Sequence, residues 1–219
     1  MNTVSFHFGA VILAAGASTR MGQPKQLLRI GGRTLLRRTV DAVLASPAWP
    51  VMVVLGAHLE TIRPEIARLP VLVVDNRAWA EGLASSIGAG VRALDSFSLS
   101  IEAALLVLGD QPHLSTDALA RLVATHQCTG RSIVAAHYGG HPGPPALFAR
   151  RHFPELMALS GPGGARPLFD RHAGSLGMVP MPEFAVDLDT PEDFAASFKR
   201  SLETEISPSA TRGDPPACR

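Results

Sequence analysis

Residues 11–25, Val-Ile-Leu-Ala-Ala-Gly-Ala-Ser-Thr-Arg-Met-Gly-Gln-Pro-Lys, constrain this chain more than any other stretch. Val11 to Ala15 is an apolar run long enough for a strand buried on both faces. At Gly16 it breaks into small residues that let backbone N–H groups come close to a ligand, and Arg20, Gly22 and Lys25 follow. The first forty residues hold no Asp or Glu, yet carry Arg20, Lys25, Arg29, Arg33, Arg37 and Arg38. An anion, and with this loop a polyphosphate, is the natural partner. A Walker loop is excluded, because Gln23 follows Gly22 and no hydroxyl follows Lys25. The dinucleotide fingerprint is excluded too, because Ser18 stands where its second glycine belongs.

A chain of 219 residues, 46% hydrophobic and 18% charged, fits one globular domain, expected over 1–204. From 205 to 219 Ser, Pro, Thr, Arg and Gly dominate without periodicity, so a disordered tail is expected there. The net charge of +1 gives no global pull toward nucleic acid or an acidic membrane, and neither is expected as a partner. The first apolar run is too short to span a bilayer and has no basic segment before it. Cys128 and Cys218 make no disulfide framework. A cytoplasmic protein with reduced thiols is the expectation.

Apolar runs predict strands at 51–55, 71–74, 103–108 and 132–137. Helical spacing predicts helices after the N-cap Thr34, over 58–69, over 84–94 and from Ser115 to about 125. Strands alternating with helices give a parallel sheet covered on both faces, whose ligands bind beyond the carboxyl ends of the strands. Gly139–Pro145, with its three prolines, is expected to be a loop. A helix is expected at 154–159, then the glycine-rich stretch 161–166, extended pieces at Val179 and 184–188, and a last helix opened by Thr190-Pro191.

Several polar residues fall where this topology gathers ligands. Asp110 follows the apolar run 103–108, where a carboxylate is costly to desolvate unless a cation or hydrogen bonds satisfy it. Magnesium binds through one or two carboxylates plus substrate phosphates, so an Asp at a strand end suffices in type. Asp187 and Asp189, two apart in an extended stretch, share one face. Asn76, Trp79, Gly82, Ser85 and Ser86 combine a strand end, an aromatic, a glycine and two hydroxyls at a helix start, a set able to read a base, ribose or phosphate. Each has a plainer role available: turn-forming Asp, core Trp, capping Ser. The eight His residues show no metal-ligand spacing.

The stretch Leu13–Lys25 resembles the nucleotidyltransferase signature Leu-Ala-Ala-Gly-x-Ser-x-Arg-Met-Gly-x-x-Lys at every fixed position, and is similar to the molybdenum cofactor cytidylyltransferases and their relatives. Gly109-Asp110-Gln111-Pro112 resembles that family's metal-binding motif, and Asp187–Asp193 its second acidic motif. The segment 76–86 is similar to the family's Asn-x-x-Trp-x-x-Gly-x-x-Ser-Ser. The chain departs from the family at Gly143-Pro144-Pro145, where Gly-His-Pro is frequent, and at Pro162, where an acidic residue is frequent.

The resemblance implies a three-layer α/β Rossmann-like nucleotidyltransferase fold (glycosyltransferase-A-like) with a mostly parallel central sheet. It implies a nucleotide-binding part at 8–135 and an acceptor-side part at 136–198. The implied reaction is Mg²⁺-dependent transfer of CMP from CTP to the terminal phosphate of molybdenum-bound molybdopterin, with a molybdoenzyme or its maturation chaperone as further partner. The nucleotide site is expected to comprise Leu13, Ala14, Ala15, Gly16, Ala17, Ser18, Arg20, Lys25, Asn76, Gly82, Ser85, Ser86 and Gly109. Lys25 is assigned to the α-phosphate, Arg20 to the leaving β- and γ-phosphates, and Asp110 with Asp187 or Asp189 to the metal, Asp187 being favoured. Related guanylyltransferases carry Leu-Ala-Gly-Gly where this chain has Ala15, which makes that methyl a candidate for base choice. Transfer to another phosphate acceptor such as a sugar phosphate, and a non-catalytic role in molybdoenzyme maturation, are the alternatives.

Overall fold

A computed structural model of the chain describes residues 6–185. Its first elements are β1 (Phe8–Leu13), the short antiparallel pair β2 (Arg29–Ile30) and β3 (Arg33–Thr34), and α1 (Leu35–Leu44). Next come β4 (Val51–Leu55), α2 (Leu59–Ile62), β5 (Leu72–Asp75), α3 (Leu83–Phe97) and β6 (Ala103–Leu108). The last described elements are α4 (Thr116–Thr129), β7 (Ile133–Tyr138), β8 (His141–Ala149), α5 (Phe153–Met157), α6 (Arg166–Arg171) and β9 (Leu176–Pro180).

Seven of these strands form one sheet in the order β5-β4-β1-β6-β8-β7-β9. β1, β4, β5 and β6 run parallel, and β9 is parallel to β7; only β8 runs against its neighbours β6 and β7. Every residue of β1 is buried, and its side chains alternate between the two faces. Ala10 and Ile12 pack with Leu36 and Val40 of α1 and with Leu119 and Leu122 of α4. Val11 and Leu13 pack on the other face with Ile87, Val91 and Leu94 of α3, together with Phe153 of α5 and Phe169 of α6. Thr34 caps α1 by accepting the Arg37 N–H at 3.2 Å, as its sequence position predicts. Ser115 does the same for α4, accepting the Ala118 N–H at 3.2 Å.

Several sequence expectations are corrected. The helix read over 58–69 is only α2 followed by a 3₁₀ turn at Arg63–Glu65. Residues 141–145 are not loop but the first half of β8. The register explains how the prolines fit: Ala135 faces Ala146 while Ala136 faces Gly143, so Pro144 and Pro145 are extra residues bulged out of the β7 ladder. β6 pairs only with Ala146–Ala149, so on that side the proline half of β8 has no ladder to complete. Asp187, Asp189 and the helix expected after Thr190 lie outside the described residues. Among the described residues no helix is long and apolar enough to cross a membrane.

Candidate active site

The strand order reverses at β1, with β4 and β5 to one side and β6 to the other, which is where open α/β sheets hold their ligands. Leu13 and Leu108 are direct neighbours at the ends of β1 and β6, and the Gly109 N–H donates to the Leu13 carbonyl at 2.9 Å. The loops carrying residues 14–18 and Asp110 therefore leave the sheet side by side. Gly109 is required for this closeness: a Cβ there would lie 2.9 Å from that of Ala14.

Beyond these strand ends lies a cleft of about 360 Å³. Leu13, Ala15, Gly16, Ala17, Ser18 and Lys25 line one wall. Asp110 and Leu108 close the β6 side, and Trp79, Gly82, Leu83 and Ser86 the opposite one.

The loop after β1 is anchored through its carbonyls. Gln26, 4% exposed, donates its side-chain amide to the carbonyls of Ala14 (3.1 Å) and Gly16 (3.2 Å). The Ala57 N–H donates to the Ala15 carbonyl at 3.1 Å, and the His58 ring Nε2 lies 3.0 Å from that of Ala17 and must donate to it. Within one trans peptide the C=O and N–H point in opposite directions. The N–H groups of Ala15 and Ala17 therefore face away from Gln26, and those of Gly16 and Ser18 away from Ala57 and His58. Backbone donors of a small-residue loop held in this way can cradle an anion.

Ser18 alone among the described non-glycine residues has a left-handed backbone, φ 52° and ψ 39°. Its hydroxyl accepts the Lys25 N–H at 3.0 Å, which ties the loop's sharp turn to the start of the turn Lys25–Leu27. The lysine is thereby fixed relative to the cradle. Arg20 belongs to the preceding turn, Thr19–Met21.

Not every predicted site residue reaches the cleft surface. Asn76 is buried and donates to the hydroxyls of Ser85 and Ser86, each at 3.0 Å, while its side-chain Oδ1 accepts the Ala78 N–H at 3.1 Å. Ser85 turns back on the carbonyls of Ala78 and Gly82. Of this polar set only Ser86 lines the cleft, with Asn76 and Ser85 holding it from behind. Ala14 and Gly109 likewise stand one layer back. Gly82 needs its glycine backbone: φ is 107°, and a Cβ would meet the Gly161 carbonyl at 2.9 Å. The second glycine-rich stretch thus forms the rim above α3, and the Ala84 N–H donates to the same Gly161 carbonyl at 3.3 Å.

A smaller, mostly apolar pocket of about 100 Å³ adjoins the cleft, sharing Leu13, Leu83 and Leu108 with it. Its outer wall is Pro142, Gly143, Pro144, Ala146 and Phe148 of β8, faced by Arg166 and Phe169 of α6. The Pro144 carbonyl is held twice, by the Gln111 side-chain amide at 2.8 Å and by the Tyr138 hydroxyl at 2.9 Å. A Cβ on Gly143 would lie 2.5 Å from that hydroxyl. Sequence reasoning missed Gln26, His58, Gln111 and Tyr138. Only Gln26 and Gln111 carried a signal, by standing beside Lys25 and Asp110.

Comparison with known proteins agrees with this fold. The chain is 34% identical over 167 residues to nicotine blue oxidoreductase of Paenarthrobacter nicotinovorans, covering 71% of this chain and 78% of that one. It is 32% identical over 200 residues to the purine catabolism protein PucB of Bacillus subtilis, covering 84% and 92%. The crystal structure of Rv0371c from Mycobacterium tuberculosis in complex with manganese superposes with a TM-score of 0.69 at 27% identity, covering 88% of this chain and 98% of that one. The model of the MobA-like NTP transferase domain matches residues 10–176, so the chain belongs to that family and is a nucleotidyltransferase.

Proposed function

We propose that the protein transfers CMP from CTP to the terminal phosphate of molybdenum-bound molybdopterin, releasing pyrophosphate, in the cytoplasm. The observation that carries this reading is the anchored loop 14–18, whose N–H donors, Lys25 and Asp110 share one cleft. The cradle holds the triphosphate, with Lys25 at the α-phosphate and Arg20 at the leaving β- and γ-phosphates. A phosphate-monoester acceptor has its second pKa near ~6 and is largely ionised at neutral pH, so it attacks without a strong general base. The chain's contribution is then positioning and charge neutralisation in an in-line displacement at the α-phosphorus.

Asp110, an acidic group on the cleft at a strand end, fits a divalent cation, and Asp187 or Asp189 would complete the ligand set. Bound there, Mg²⁺ would neutralise phosphate charge. The manganese complex of Rv0371c supports a divalent ion in a relative. The pocket between β8 and α6 is the acceptor's place in this reading, its apolar wall suited to the flat pterin and Arg166 to its phosphate. Nucleotidyl transfer to a different phosphate acceptor is the second reading, favoured by the departures from the family at Gly143-Pro144-Pro145 and at Pro162, of which Gly143 and Pro144 line that wall. A pyrophosphate-release assay with each of the four nucleoside triphosphates, paired with molybdenum-loaded molybdopterin, with a sugar phosphate and with no acceptor, tests both. Acceptor-dependent release with CTP is expected. Release only with another phosphate acceptor selects the second reading, and no release with any pair overturns both.

A further inference from the structure

Away from both cavities, His152, Glu155 and His172 bring three metal-competent side chains together, with one ligand atom from each lying within 4.8 Å of the others. His152 closes the short turn before α5, Glu155 is in α5 itself, and His172 follows α6. His152 Nδ1 is 3.1 Å from Glu155 Oε1, and His172 Nε2 is 2.9 Å from the same oxygen. A tetrahedral ion with bonds of ~2.0–2.1 Å sets its ligands about 3.3 Å apart, so the two His–Glu spacings need only a small adjustment, and the two rings, whose ligand atoms lie within 4.8 Å of each other, must close by at most about 1.5 Å.

We propose that these three residues form a second metal site, selective for zinc or a similar borderline divalent cation and separate from the nucleotide cleft. Two imidazoles and one carboxylate suit zinc, whereas magnesium and calcium prefer all-oxygen sets. The surroundings are those of a supported site rather than a chance encounter of exposed groups. His152 is 4% exposed, and its other nitrogen lies 2.9 Å from the hydroxyl of Ser132, itself 3% exposed. A hydroxyl can accept as well as donate, so it serves either tautomer and fixes the ring with Nδ1 facing the cluster. Arg171 donates to Glu155 Oε2 at 2.9 Å, which orients the carboxylate, and His172 Nε2 lies 2.9 Å from both of its oxygens.

The ligands bracket residues 153–171, the segment whose glycine-rich turn carries the Gly161 carbonyl against Ala84 and Gly82. A bound ion would therefore fasten both ends of the segment that forms the rim of the cleft.

The test uses the full chain stripped with chelator, then titrated with zinc by calorimetry and with cobalt by visible absorption. One ion per chain is expected, with a melting temperature raised by about 5–10 °C at a hundredfold excess over Kd. His172→Ala, at a part-exposed position, is expected to abolish this binding. Ser132→Ala is expected to weaken it about 10–100-fold. Should His172→Ala fail to fold, Glu155→Gln takes its place with the same expectation. Asp110→Asn must retain the binding, because loss there would assign the ion to the nucleotide cleft. Absence of a saturable zinc site, or zinc binding and cobalt absorption unchanged in the folded His172 or Glu155 variant, overturns the proposal.

Discussion

On one side of the cleft the wall is the loop 14–18, held in place by carbonyls that Gln26, Ala57 and His58 anchor. On the β8 side, which the proposed function gives to the acceptor, the wall is a bulged, proline-rich half-strand, pinned at one carbonyl by Gln111 and Tyr138. Backbone donors serve any triphosphate and tolerate little movement. A wall hung on two side chains can change shape when either changes. The difference fits a domain that keeps one half for a common donor and varies the other for its acceptor.

The sharpest way to break this contrast is Asp110→Asn. It keeps shape and removes an anionic ligand at the nucleotide wall, so turnover should fall at least about 100-fold while the melting temperature stays unchanged. A folded Asn variant with near-normal pyrophosphate release would remove Asp110 from the metal site. Ala15→Gly comes next. One methyl on the cleft wall excludes about 1–3 kcal/mol worth of a larger base, so the kcat/KM ratio of GTP to CTP should rise roughly 10–200-fold. A ratio that does not move toward GTP would clear Ala15 of base choice.

Gly90→Ala probes the scaffold beneath the nucleotide wall. A Cβ there would stand 2.2 Å from Val11 Cγ1 and 2.9 Å from Val54 Cγ2, both on buried, stiff, β-branched residues. Overpacking of this kind should destabilise by about 1–3 kcal/mol in denaturant unfolding. The smallest effects belong to the acceptor wall. Gln111→Ala or Tyr138→Phe alone leaves Pro144 one donor, so each should lower stability by only about 0.5–1.5 kcal/mol. The double variant strips both donors and should lose more than the sum, with acceptor KM rising more than KM for CTP. Strict additivity would show that the two donors do not share a task.

That Lys25, the loop 15–18 and Asp110 share one cleft was legible because the pattern is local: strand, small-residue loop and cations follow one another within residues 11–25, and Asp110 follows its strand directly. Half of the acceptor side was not. Pro142, Pro144 and Pro145 argue against a strand when each is assumed to need a ladder partner, and only the register reveals that two are bulged out and that β6 stops short of them. Asn76 and Ser85 read as ligand contacts because spacing cannot say which side of a wall a hydroxyl takes. The grouping of His152 with His172 was invisible for a related reason. No ligand spacing links them, and they meet because the chain doubles back between α5 and α6.

Leu13 and Leu108 are paired in register, and the next peptide, Gly109, is bonded back to Leu13. The phosphate loop and the acidic turn are thus two prongs rooted in a single rigid block, and the gap between them behaves as a fixed gauge rather than an adjustable jaw. A triphosphate of the wrong span cannot be accommodated by spreading the prongs without tearing the two central strands apart. The spacing between the loop 14–18 and the Asp110 turn is thus set by the strand pairing beneath them.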